Sequence, residues 1–151
     1  MIVEQFLRDR GRQVLSFSVD TSAVEAARKF GNTIEGKRFS VSIVVDENNR
    51  VLGVLSLGDI VHGLAEHGAA IVEKTVRDLM TKSVYAAKPT DTLMDVMKNM
   101  AEHEIRHVPV VENGVLKGLV ARKDVLEALH GEASYALNSL TEYVYRSGGR
   151  Y

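Results

Sequence analysis

The hydrophobic and polar positions of this chain follow a pattern that is laid down twice. Val24-Glu25-Ala26-Ala27-Arg28-Lys29-Phe30 and Met94-Asp95-Val96-Met97-Lys98-Asn99-Met100 carry apolar residues at helical spacing, with acidic and basic residues in register 70 positions apart. Ser22 and Thr92 precede them as N-caps, whose side-chain oxygens accept the unpaired N–H groups of a first turn, so helices are expected near 23–34 and 93–104. A short apolar run follows each helix, Val41 to Val45 and Val108 to Val111. A turn rich in Asn or Gly comes next, then a second run, Val51 to Ser56 and Val115 to Ala121. Such pairs predict β-hairpins. A closing helix is expected in each copy, from about Leu57 to Glu66 and from about Arg122 to Leu129.

Other segments keep the same register. Val14 and Val84, 70 positions apart, stand where first strands should begin. Val44-Val45-Asp46 matches Val110-Val111-Glu112 at a spacing of 66, and Gly53 through Ile60 matches Gly118 through Val125 at 65. The spacing shrinks because the first copy holds extra residues near Ile34-Glu35-Gly36-Lys37-Arg38 and one more in the turn at Glu47-Asn48-Asn49. Each copy thus reads as a βαββα unit, and a repeat found first constrains everything after it. The expected fold is α+β, two such units related by a pseudo-two-fold axis in one compact domain with one core. Val3 to Asp9 and Val76 to Met80 read as equivalent short helices leading into each copy. Glu132 to Tyr145 reads as a separate amphipathic helix with Ala133, Ala136, Leu137, Leu140 and Val144 on one stripe. The boundaries that follow are 1–70 for the first repeat, 71–131 for the second and 132–151 for the C-terminal helix and tail.

Composition narrows the function. The 151 residues include 19 basic and 20 acidic side chains, for a net charge of -1, so no strong field draws the chain to nucleic acid or anionic lipid. The chain has no cysteine, which excludes disulfides, zinc thiolates and cysteine nucleophiles. No uncharged stretch approaches the roughly 20 apolar residues of a membrane span. The first residues carry charge too early for a signal peptide, and a cytoplasmic address is the expectation.

Three strings taken together, Val76-Arg77-Asp78-Leu79-Met80-Thr81, Arg106-His107-Val108-Pro109-Val110-Val111 and Gly118 to Asp124, resemble the CBS domain, named after cystathionine beta-synthase. This domain usually occurs as a tandem pair, the Bateman module. The resemblance covers about residues 2–130, and the ordered set occurring twice makes it specific where each motif alone is weak. It implies adenosine-containing ligands held in clefts between the repeats, and pairs that associate into flat dimers.

The resemblance assigns roles residue by residue. Asp59 and Asp124, each where a strand gives way to a helix, match the family's ribose-binding aspartate, whose two oxygens suit two hydroxyls. Standing against this is the reading of each as a carboxylate that complements a helix dipole. Ser56, three residues before Asp59, fits the family's Ser/Thr-x-x-Asp phosphate motif; the second copy has Ala121 there, with Arg122 and Lys123 as its available charges or as solvated surface. Arg106 and His107, in the string that contains Pro109, match positions that reach ligand phosphates. The first copy has Ser40 and Val41 instead, so one site is expected to keep the hydroxyl and the other the cations. Val14 and Val84 match positions near adenine, and a core role fits them as well.

Other motifs fail. Gly53 to Gly58 mimics a phosphate loop but continues with Asp59-Ile60 where Lys-Ser/Thr is required. His62 with Glu66, and His103 with His107, lack a third metal ligand. With no nucleophile–base constellation, metal cluster or cofactor loop evident, an enzyme is not expected. The expected function is a regulatory module for an adenine nucleotide, AMP first, with ADP, ATP, NADH or S-adenosylmethionine as further options. It would be a homodimer that signals in trans to an unidentified protein partner, without nucleic acid or membrane. The rival is a structural dimerisation domain with vestigial clefts.

Overall fold

The computed structural model describes residues 1–11 and 13–147, with side chains among them through Tyr143. The elements are α1 (Val3–Arg10), β1 (Ser16–Phe17), α2 (Ala23–Gly31), β2 (Val41–Val45), β3 (Val51–Ser56) and α3 (Leu57–His67), then a 3-10 segment (Gly68–Glu73). The second half comprises α4 (Val76–Leu79), α5 (Leu93–Glu102), β4 (His107–Glu112), β5 (Val115–Ala121) and α6 (Arg122–Ser147). β1 runs parallel to β2, which pairs antiparallel with β3. β4 pairs antiparallel with β5.

The two hairpins agree in register. Val41 faces Ser56 as His107 faces Ala121, Val44 faces Gly53 as Val110 faces Gly118, and each ladder shifts at the next residue, between Val44/Val45 and Val110/Val111. The caps agree as well: Ser22 accepts from Glu25 N–H and Thr92 from Asp95 N–H, both at 3.1 Å. Two mixed repeats of helix and strand are therefore present, as the sequence pattern predicts.

Several local expectations are corrected. The first strands do not begin at Val14 and Val84: one is Ser16–Phe17, and its counterpart is a single parallel bridge from Ala87 to Val110. Ala87 makes both its backbone bonds, donating to Pro109 C=O and accepting from Val111 N–H, and the pairing that Ser16 makes in the first repeat is missing at Ala86. α2 stops at Gly31 and α5 at Glu102, short of the expected ends: Asn32 is already extended (φ -105°, ψ 158°), and Glu104 takes positive φ (53°). The expected break before Glu132 is also absent. α6 continues from Arg122 through Gly131 to Ser147, since one glycine costs a helix only about 1 kcal/mol against alanine. Val144's side chain, the last of the expected stripe, and the tail after Ser147 lie outside the described residues.

Instead of one core there are three clusters. Val44, Leu55, Phe17, Ala26 and Phe30 form the first repeat's core, where Phe17 and Phe30 meet edge to face with centroids 5.8 Å apart. Leu93, Val96, Met100, Val108 and Val120 form the second repeat's core. Between the sheets Val41, Ile43 and Leu119 pack together with the partly buried Val14. The hairpin turns meet there too: Val51 N–H donates to Gly114 C=O (3.1 Å) and Leu116 N–H to Asn49 C=O (2.9 Å).

The leading helices are exchanged. Val3 and Phe6 of α1 are buried in the second repeat's core, and Val3 N–H donates to Asp91 C=O at 2.9 Å. Val76 of α4 is buried in the first repeat's core, with its N–H on Thr21 C=O at 2.8 Å. The matched glycines follow from these crossings. A Cβ on Gly53 would sit 2.5 Å from the Thr81 carbonyl oxygen, where residues after α4 pair with β3, and one on Gly118 would sit 2.9 Å from the Leu7 side chain. Among the described residues no helix is long and apolar enough to cross a membrane.

Candidate functional site

Exchange of the leading segments leaves two cavities between the repeats, each of about 580 Å³. One contains Asp59 and the other Asp124, and their walls correspond: Val54 stands where Leu119 does, Ser83 where Gln13 does, Ile105 where Phe39 does and His107 where Val41 does. Each wall is contributed by both repeats. In the Asp59 cleft, β3 and α3 of the first repeat face residues 81–85 and Ile105 and His107 of the second. In the Asp124 cleft, Leu119 and Asp124 face Arg10, Gly11, Gln13 and residues 37–41. His107 reaches both clefts.

Asp59 is placed by a reciprocal cap. Its Oδ2 accepts from Ser56 N–H at 2.7 Å and from Ser56 Oγ–H at 3.0 Å, while Asp59 N–H lies 3.1 Å from Ser56 Oγ. Among the described residues no hydrogen bond reaches Oδ1. The carboxylate is therefore a helix cap on one oxygen and a half-buried acceptor in the cleft on the other, so the two readings of Asp59 are compatible. α6 begins without such a device, since Ala121 has no hydroxyl. Asp124 still lines its cleft, half-buried.

The far wall of the Asp59 cleft holds Tyr85 and His103, stacked with centroids 5.6 Å apart and planes inclined by 22°. Burial pushes the Tyr85 phenol above its ordinary pKa, and Asp91 and Asp95 add to this, so the ring stays neutral. Tyr85, Thr81, Ser83, Val54 and Ile105 were not singled out from sequence. Tyr85 was within reach, because it follows Val84 in the predicted strand.

The remaining predicted residues fall into three groups. Ser56, Asp59, Val84 and His107 meet in the first cleft. Arg106 joins Ser56 and His107 in an adjoining cavity of about 890 Å³. The expected division, with Ser56 in one site and Arg106 and His107 in the other, is thus not what the structure shows: Arg106 and His107 line a cavity together with Ser56, and His107 lines both clefts. Arg122 and Lys123 line a further hollow of about 480 Å³ with Arg106 and His107, beside Ala121. Val14 packs in the cluster between the sheets, and Pro109 is buried in β4, so neither is a wall residue of these cavities. Among the described residues no group of three or more His, Asp or Glu side chains is placed to hold a metal ion.

The CBS domain profile matches residues 8–66 and 76–131. An uncharacterized 33.4 kDa protein in the ribosomal RNA operon of Thermofilum pendens is 36% identical over 89 residues, 59% of this chain; the chain spans only 29% of that relative's length. The crystal structure of the CBS-domain containing protein ATU1752 from Agrobacterium tumefaciens superposes with a TM-score of 0.73 at 34% identity, over 85% of this chain and 98% of that one. The CBS domain pair of protein MJ0100, in complex with 5'-methylthioadenosine and S-adenosyl-L-methionine, superposes at 0.72 with 24% identity, over 87% of this chain and 98% of that one. With both repeats matched and their strands in common register, this chain belongs to the CBS domain family as a tandem pair.

Proposed function

We propose that the chain is a regulatory module that binds adenosine-containing ligands in its two clefts and passes their occupancy to a partner protein in trans. The observation that carries this reading is that each cleft is closed by both repeats around a carboxylate at an equivalent helix start. A ligand seated there touches both repeats at once, so any difference in their packing becomes a difference in its affinity, and occupancy biases that packing in return. Asp59 and Asp124 hold ribose hydroxyls, Ser56 with Arg106 and His107 receives a phosphate, and Val84 and Tyr85 provide apolar wall for the base. The relative MJ0100, which holds two adenosine compounds, supports this ligand class.

The signalling form is a homodimer. Val61 and Leu64 on α3 and Leu126 on α6 are 60%, 54% and 53% exposed, and Val61 and Leu126 hold equivalent places in the repeats. Two such faces meeting through a two-fold axis would cover this surface. A purely structural dimer would use the same face, and ligand titration separates the two readings. Adenosine ligands should raise the melting temperature, since selective binding to the native state adds about 2.7 kcal/mol at 100 times Kd. A melting temperature indifferent to millimolar AMP, ATP, NADH and S-adenosylmethionine would favour the structural dimer.

A further inference from the structure

The extra residues of the first repeat do not simply lengthen a loop. Ile34 and Lys37 bridge each other, with N–H donors on the opposing carbonyls at 2.8 and 2.9 Å, and Glu35 and Gly36 take positive φ (49° and 78°) to close the turn. This fixed turn carries Lys37 and Arg38 into the wall of the Asp124 cleft, which belongs to the other repeat's strand and helix. Arg10 is there as well, but its guanidinium is drawn to Glu127 at 3.6 Å. Glu35 is engaged by Gln13 Nε2–H at 3.0 Å. Among the described residues, Lys37 and Arg38 are the cations of this wall that are not drawn into an ion pair, and both are exposed to an entering anion. Among the described residues, the wall of the Asp59 cleft holds no lysine or arginine, and Arg106 lines the adjoining cavity.

We infer that the clefts divide adenosine ligands by the charge of their tails: the Asp124 cleft takes adenosine bearing two or more phosphates, and Lys37 and Arg38 select it. The Asp59 cleft, with one hydroxyl cap and one outlying arginine, takes adenosine with at most one phosphate. This rests on the adenosine-ligand reading of both clefts and adds the ligand class of each. A chain of phosphates spreads its charge over several oxygens, which two flexible cations at the cleft edge can meet, whereas adenosine itself offers them nothing.

The test is calorimetric titration of the parent chain and of a Lys37→Ala/Arg38→Ala double variant with ATP, AMP and adenosine at low and moderate salt. Both substitutions fall on exposed side chains, and unchanged adenosine binding reports that the clefts remain intact. The expected result is an ATP affinity lowered about tenfold or more in the double variant, with a flatter salt dependence, while AMP and adenosine change by less than about twofold. Equal ATP affinity in parent and variant, where the parent binds ATP, overturns the division while leaving the adenosine reading in place. A parent chain that binds none of the three overturns both.

Discussion

The two repeats pair their strands alike down to the position of the bulge, yet they put different side chains into the space between them. Where the first repeat starts α3 with a Ser56–Asp59 reciprocal cap, the second starts α6 with Ala121 and Asp124. Where the second repeat offers Arg106 just before β4 and His107 at its start, the first offers Ser40 and Val41 with a cationic turn before them. Backbone pairing and core positions keep the common form, because a one-residue slip would turn buried faces outward. Cleft positions carry no such penalty and are free to diverge.

The exchange of leading helices gives the largest test of that comparison. Phe6→Ala, in the N-terminal helix, should cost about 3–5 kcal/mol in denaturant unfolding because it empties the second repeat's core. Val76→Ala, the corresponding loss for the first repeat, removes fewer atoms and should cost roughly 1–2 kcal/mol. A Phe6→Ala variant less affected than Val76→Ala would mean that α1 is not part of the core as described.

The equivalent glycines sharpen it next. Gly53→Ala drives a methyl group against the Thr81 backbone and should cost roughly 1–3 kcal/mol, whereas at Gly118 the obstacle is the mobile end of Leu7 and the cost should be no more than about 1 kcal/mol. Equal costs at the two positions would show that the crossings are alike.

The smallest effect is a difference in pH response between the helix caps. α1 is capped by Gln5, whose Oε1 accepts from Ile2 N–H at 3.2 Å, and α4 by Asp78, which accepts from Thr75 N–H at 2.9 Å. That backbone bond, set against some desolvation, holds the Asp78 carboxyl below its usual range. A depressed carboxylate stabilises the fold above its unfolded pKa of about 4, and loses that contribution as pH falls through the folded value. Asp78→Asn should therefore lower the melting temperature slightly at neutral pH, with the difference vanishing in acid, and Gln5→Ala should show no such pH trend. Asp78 is exposed, so the effect is small.

The repeat, the hairpins and the carboxylates were legible in the sequence because each rests on local pattern: period, cap and turn. The cleft partners were not. Sequence register compares Ser56 with Ala121 and Arg106 with Ser40, but the cavity adjoining the Asp59 cleft is lined by Ser56 and Arg106 together, a juxtaposition that exists only after the repeats pack. The turn at Lys37 and Arg38 is visible in the sequence as an insertion, but the cleft it lines is set by how the repeats pack.

The most direct test of the central claim, that two equivalent carboxylates hold ribose in two separate clefts, is calorimetric titration of Asp59→Ala and Asp124→Ala with ATP and AMP, each variant first shown to be folded. A hydrogen bond to a charged acceptor is worth about 1.5–3 kcal/mol, so each variant should lose roughly tenfold or more in affinity at its own cleft and leave the other unchanged. If both variants bind both nucleotides as tightly as the parent, the aspartates are helix-start carboxylates and the ribose assignment is wrong.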